Sequence, residues 1–368
     1  MIRPLSMALI ATGLAAGISL ACEEPSGPAP GSLPTSGAPK PSQVPPTPRL
    51  EQQTSGTTNR LQAVSPVSAK VVWASGLGGT FAVTIDGGSH WRTGVVQGGD
   101  SLEFRDVQGV SADEAYLLSA GPGINSRIYK TINGGRSWTQ QFRNSDPNAF
   151  FDCFAFWTAA RGLVFSDAVN GRFPLLRTSN GRTWTDIGRR APAAQPGEAG
   201  FAASGTCVAT QGEQNAWIAT GGAAKARVLA TTDGGDSWNA YDTPIVQGTQ
   251  TSGGFSVAFR DATHGILAGG DLGNSGPAVD NVAVTEDGGK SWQLRAATPF
   301  AGAAFGLSYV PDLETGVVVT GPSGAAWSSD EGASWQLLPA ITGFWAVAFS
   351  GRDGWLVGTE GRIEKISF

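Results

Sequence analysis

The side chains most used for metal, redox and nucleophilic chemistry are scarce in this sequence. It has two histidines, three cysteines and four tyrosines in 368 residues. His90 and His264 are too few and too scattered to build a haem or copper centre. No Cys-x-x-Cys occurs, and no Gly-x-Gly-x-x-Gly follows a strand and opens a helix, so dithiol and dinucleotide redox chemistry lack their motifs. No cofactor and no metal are expected. Charge is sparse as well: 15% of residues are charged, the net charge is -5, and there is no run of Lys or Arg. A strong basic field is missing, which excludes nucleic acid as a partner.

Long apolar stretches are also missing, with one exception. After Arg3, the segment from Leu5 to Leu20 is apolar and uncharged, too short and wrongly flanked for a comfortable membrane span. Residues 1–21 read as a signal peptide. The segment ends Ile18-Ser19-Leu20-Ala21-Cys22, which resembles a bacterial lipobox with Leu20 displaced by one position. Lipidation at Cys22 would make an exported, membrane-anchored lipoprotein facing the periplasm or extracellular space. The alternative is an ordinary signal peptide cleaved nearby. Residues 22–58 are rich in Pro, Ser, Gly and Thr, including Pro45, Pro46 and Pro48, and read as a disordered tether that cannot bury enough apolar surface to fold.

What is abundant is glycine, 52 residues, and tryptophan, 12 residues, and the two recur together. Thr84-Ile85-Asp86-Gly87-Gly88-Ser89-His90-Trp91 returns with variation from Thr131, Thr178, Thr231, Thr285 and Ser328, at intervals of 43 to 54 residues. That interval fits one four-stranded propeller blade. In each copy an Asp or Asn can accept backbone N–H groups of its own turn. Gly then supplies positive φ, and Trp packs over the loop. This is the Asp-box, or BNR, hairpin. It makes Asp86, Asn133, Asn180, Asp233, Asp287 and Asp330 structural residues. Seven second strands can be read but only six boxes, and the last unit, Phe344 to Phe368, holds only three strands. The expectation is an all-β, seven-bladed β-propeller over residues 59–368, its ring closed by a strand from Gln52–Val64. Trp73, Trp217 and Trp355 recur at one place in the second strands and read as inter-blade core. Cys153 and Cys207 share a register in consecutive blades. Two buried thiols and an inter-blade disulfide are both open.

Outside the boxes, several stretches carry a closer likeness. They are Phe104-Arg105-Asp106-Val107, Ser126 to Thr131, Asp146 to Asp152, Asn170-Gly171-Arg172-Phe173, Pro196-Gly197-Glu198, Phe201 to Thr206 and Gly269-Gly270-Asp271. On these, residues 60–368 resemble the photosystem II stability/assembly factor family, in particular its bacterial branch of YVTN/BNR-like propellers within the sialidase-like superfamily. The resemblance implies an exported propeller with an assembly-factor-like, protein-binding role toward an envelope or membrane protein. It does not by itself carry over a photosystem partner.

The competing reading is a glycoside hydrolase or glycan-binding protein. Sialidase chemistry wants a nucleophilic Tyr and three Arg. Tyr129 and Tyr241 flank boxes, and the Arg-Ile-Pro opening is missing. A two-carboxylate glycosidase demands less. Loop carboxylates Asp106, Asp152, Asp167, Glu198 and Asp271, with Arg105 and Arg172, are the candidates for binding a ligand or partner on a rigid scaffold. Loop capping is the alternative for each. No catalytic residue is assigned, and a glycan remains open as a ligand.

Overall fold

The computed structural model describes residues 47–368. The expected signal peptide, Cys22 and residues 22–46 of the expected tether lie outside the described residues. Seven antiparallel four-stranded sheets follow one another along the chain. Blade 1 is β2 (Leu61–Pro66), β3 (Val72–Gly76), β4 (Thr80–Thr84) and β5 (Arg92–Val95). Blade 2 is β6 (Phe104–Gly109), β7 (Ala115–Ser119), β8 (Arg127–Thr131) and β9 (Thr139–Arg143). Blade 3 is β10 (Phe151–Thr158), β11 (Arg161–Ser166), β12 (Leu175–Thr178) and β13 (Thr185–Asp186). Blade 4 is β14 (Val208–Gln211), β15 (Asn215–Ala219), β16 (Arg227–Thr231) and β17 (Asn239–Asp242). Blade 5 is β18 (Ser252–Phe259), β19 (Gly265–Asp271), β20 (Val282–Thr285) and β21 (Gln293–Leu294). Blade 6 is β22 (Gly306–Tyr309), β23 (Val317–Gly321), β24 (Gly324–Ser328) and β25 (Gln336–Leu337). Blade 7 is β26 (Phe344–Ser350), β27 (Asp353–Gly358) and β28 (Arg362–Ser367), completed by β1 (Arg49–Thr54). The innermost strands pack on one another in a closed ring, β2 touching both β6 and β26.

Burial falls from the middle of each blade to its edge. β3 and β4 are buried at every residue, whereas β5 is not. Second and third strands are covered on both faces by neighbouring blades, so they read as continuous apolar runs rather than alternating ones. Trp73, Trp217 and Trp355 are fully buried between blades, as their recurrence implied. Trp73 Nε1 donates to the Ser111 carbonyl of the next blade, and Trp217 Nε1 donates to Gly288 of the next.

Five of the six repeated turns share one geometry, and the turn at Asn180 is a version one residue shorter. In blade 4, Thr231 Oγ1 donates to Asp233 Oδ1 at 2.7 Å and accepts from Gly235 N at 3.0 Å. Asp233 Oδ1 also accepts from the N–H groups of Asp236 and Ser237, each at 2.9 Å. Gly234 and Gly235 lie at φ 73° and 87°, where a Cβ would be strained.

Ring closure corrects one expected boundary. The propeller starts not at residue 59 but at Arg49, since β1 pairs with β28 from Arg49↔Ser367 to Thr54↔Arg362. Of the expected closing region, Gln52–Thr54 belongs to β1, while Leu61–Val64 belongs to the inner strand of blade 1. β1 reads Arg-Leu-Glu-Gln-Gln-Thr, an exposed edge strand without apolar alternation, held by backbone pairing. Composition alone therefore assigned it to the tether.

Candidate functional site

Antiparallel order puts the first residues of all inner strands at one mouth of the central channel. The repeated turns, which join third to fourth strands, lie at the opposite end. The channel is not open through its length. Blade 4 has a short inner strand, and the segment before it, Gly200-Phe201-Ala202-Ala203-Ser204-Gly205-Thr206, enters the channel as a plug. Small side chains allow the close approach. A Cβ on Gly200 would sit 2.9 Å from Asp152 Cγ, and one on Gly205 would sit 2.5 Å from Asp106 Oδ1.

The plug's polar groups are taken up by several blades. Gln62 Nε2 donates to the Ala202 and Ala203 carbonyls at 3.3 and 3.2 Å. Ser204 Oγ donates to the Phe305 carbonyl at 2.5 Å, and Val257 N donates to Thr206 O at 3.0 Å. Cys207, directly after the plug, is bonded to Cys153 of β10, with Cα atoms 5.9 Å apart. Of the two readings left open by the sequence, the structure has the inter-blade disulfide.

Above the plug, the mouth holds a cavity of about 320 Å³. One side is an aromatic arc. Phe201 lies 4.1 Å from Phe255, Phe255 5.9 Å from Phe305, and Phe305 5.8 Å from Trp345, centroid to centroid. The Arg60 guanidinium covers Trp345 at 4.7 Å. The other side is polar. Arg105 reaches the Phe150 ring at 5.9 Å and is held by Glu103, through Nε at 2.9 Å and Nη2 at 2.5 Å. Asp167 Oδ1 accepts from Gly200 N at 2.9 Å. Asp152 and Asp167 are neighbouring carboxyls whose ionisations are coupled, so that charge on one opposes charge on the other. Burial, and next the neighbouring Asp167, push Asp152 well above the usual carboxylate range. Burial pushes Asp167 up to about 6, against the pull of the Gly200 N–H.

Solved structures with the same fold are numerous. The chain is similar to YCF48. YCF48 from Cyanidioschyzon merolae matches with a TM-score of 0.61 at 16% identity, over 86% of this chain and 98% of that one. A structure described as YCF48 bound to D1 peptide matches with a TM-score of 0.59 at 16% identity, over 87% and 95%. A GH74 xyloglucanase from Xanthomonas campestris matches with a TM-score of 0.55 at 14% identity, over 86% of this chain and 53% of that one. At these identities the likeness is one of fold. No family profile and no curated protein sequence matches the chain.

The propeller brings three of the seven expected site residues together, Arg105, Asp152 and Asp167. The other four do not line the mouth. Asp106 is buried below it, where its Oδ2 accepts from Phe154 N at 2.7 Å and joins blades 2 and 3. Arg172 is exposed in a tight loop closed by backbone bonds to Val169. Glu198 is saturated. Its carboxylate takes Thr220 Oγ1 at 2.7 Å, Arg227 Nε at 2.9 Å, Arg227 Nη2 at 2.5 Å and Gln195 N at 2.8 Å. Asp271 caps its own rim loop through Thr251 Oγ1 at 2.6 Å and Gly273 N at 2.8 Å. Loop capping accounts for Glu198 and Asp271, and strand-to-strand bridging for Asp106.

Arg60, Gln62, Phe255, Phe305 and Trp345 were missed as site residues. Their shared signal is position, at or near the start of an inner strand, rather than residue type. Larger clefts open elsewhere, including one of about 550 Å³ beside Arg161, Arg177, Arg189 and Arg190. There Arg177 and Arg190 are already engaged by Asp236.

Proposed function

We propose that this chain is an exported, lipid-anchored assembly-factor-like propeller that binds a peptide segment of an envelope or membrane protein at the plugged channel mouth. The observation that carries this reading is the mouth itself, a rigid concave platform with an aromatic arc on one side and buried polar groups on the other. Aromatic side chains give large contact area with little conformational freedom to lose, which suits recognition of an irregular peptide. The same fold holds a peptide in the structure described as YCF48 bound to D1 peptide. The Asp-box hairpins support a stiff scaffold, with the varied loops left for recognition. Export accords with the Cys153–Cys207 bond, since disulfides persist in oxidising compartments. Cys22 would tether the propeller to its membrane.

Peptides selected against the full chain from a random library test the reading. Binding should weaken at least tenfold in Phe201→Ala and in Trp345→Ala. It should be unchanged in Ile132→Ser, on the opposite face. Binders indifferent to both mouth variants would contradict it.

A further inference from the structure

Building on peptide binding at the mouth, we propose that the Asp152–Asp167 side is the receptor for an ammonium group, supplied by a lysine side chain or a free amino terminus of the bound peptide. Asp152 lines the cavity while only 1% exposed, and its Oδ2 has no protein donor among the described residues. Once ionised it can only accept, so what it then lacks is a donor.

The surroundings cannot supply one. The segment from Ala199 to Ala203 carries no polar side chain, and its Gly200 N–H is already given to Asp167. Arg105 is occupied by Glu103 and, at 3.4 Å, by the Ala202 carbonyl. Gly200 packs closely on Asp152, where a Cβ would sit 2.9 Å from its Cγ and Oδ2, so no side chain at that position can supply the donor.

Charge points the same way. The charged groups facing the pair are few: Arg105 from β6, with Glu103 on it, and Arg60 across the mouth; the plug contributes none. With one proton on the coupled pair, two guanidiniums and Glu103, the mouth is neutral. An incoming ammonium can take the place of that proton. It donates up to three hydrogen bonds to the acceptor-only pair, while the aromatic arc packs the peptide's apolar stem and favours a nearby cation. The balance is one ammonium bound and one proton released to solvent, with no bond made or broken in the peptide. Affinity should therefore rise with pH until the ammonium itself deprotonates, at about 10 for lysine.

Two synthetic peptide libraries, one Nα-acetylated and one with free amino termini, separate the sources. Both are panned on the full chain at pH 8, and mouth binders are defined as those lost in Trp345→Ala. Acetylated mouth binders should show lysine enriched at one position, or else free amines should be strongly preferred. Replacing that lysine by norleucine, or acetylating that terminus, should weaken binding at least tenfold on the unaltered protein and much less on Asp167→Asn. Calorimetry in two buffers of different ionisation enthalpy should show about one proton released per peptide. Mouth binders that need neither lysine nor a free amine, and release no proton, would overturn the ammonium site and leave peptide binding standing. Panning that yields no binder sensitive to Trp345→Ala would instead overturn peptide binding at the mouth, and the ammonium site with it.

Discussion

Carboxyl groups in this molecule fall into two populations, and the difference is burial. Asp106, Asp152 and Asp167 lie inside the channel wall, where desolvation raises all three, Asp167 to about 6. The turn carboxylates go the other way. Asp233, for instance, sits at about 2 because the Ser237 hydroxyl and the turn N–H groups outweigh the desolvation that would raise it. A raised native pKa contributes stability that is present below the unfolded value near 4 and is lost as pH climbs through the native value. A depressed one contributes above the unfolded value and loses that contribution as pH falls toward its native value. Stability should therefore be greatest near pH 4 and decline as pH rises above it, as the buried trio is forced to ionise. Asp152→Asn removes one half of the coupled pair and should flatten that decline, as followed by melting temperature from pH 3 to pH 9. An unchanged slope would mean the pair is not the group being titrated. This is also where sequence reading reached its limit. Arg105, Asp152 and Asp167 were identifiable as polar loop residues, but so was Glu198, and nothing local marks that Arg227, 29 residues on, consumes it.

Among the elements, the plug and its disulfide decide the site. The repeat period places an inner strand from Gly205, whereas β14 begins only at Val208, because residues 200–206 spend their hydrogen bonds on five other blades. Period and turn chemistry made the seven blades legible; a segment that leaves the period to fill a channel has no such signature, and the aromatic arc went unrecognised with it. The Cys153–Cys207 bond closes a loop 54 residues apart in sequence, worth about 4 kcal/mol on chain-entropy grounds. Replacing both cysteines by Ala should lower stability in urea by about 3–4 kcal/mol. It should also raise hydrogen exchange selectively at Gly200–Thr206, with peptide binding at the mouth weakened in step. Loss of global stability with unchanged plug exchange would assign the bond to the blades alone.

At the level of the whole molecule, the ring depends on its weakest strand. Six blades are continuous pieces of chain, whose strands are joined by short turns, but blade 7 is assembled from both ends. β1 contributes little apolar burial; its role is to occupy the edge of β28, from Arg49↔Ser367 to Thr54↔Arg362. An unpaired edge strand is a template for another chain, and closing it brings the two termini of the described chain into one blade. Deleting residues 49–54 should therefore have two separable effects. The melting temperature should fall, because the strand pairing that ties the blade 7 sheet to the start of the chain is gone and only side-chain packing of blade 1 on blade 7 remains. The protein should also form oligomers that grow with concentration in light scattering, because β28 now seeks a partner strand. Adding back the six-residue strand as a free peptide should suppress the oligomers without restoring the full melting temperature, since an untethered strand loses its local concentration. A deletion variant that stays monomeric and melts like the full chain would show that inner-strand packing of β26 on β2 closes the ring without β1.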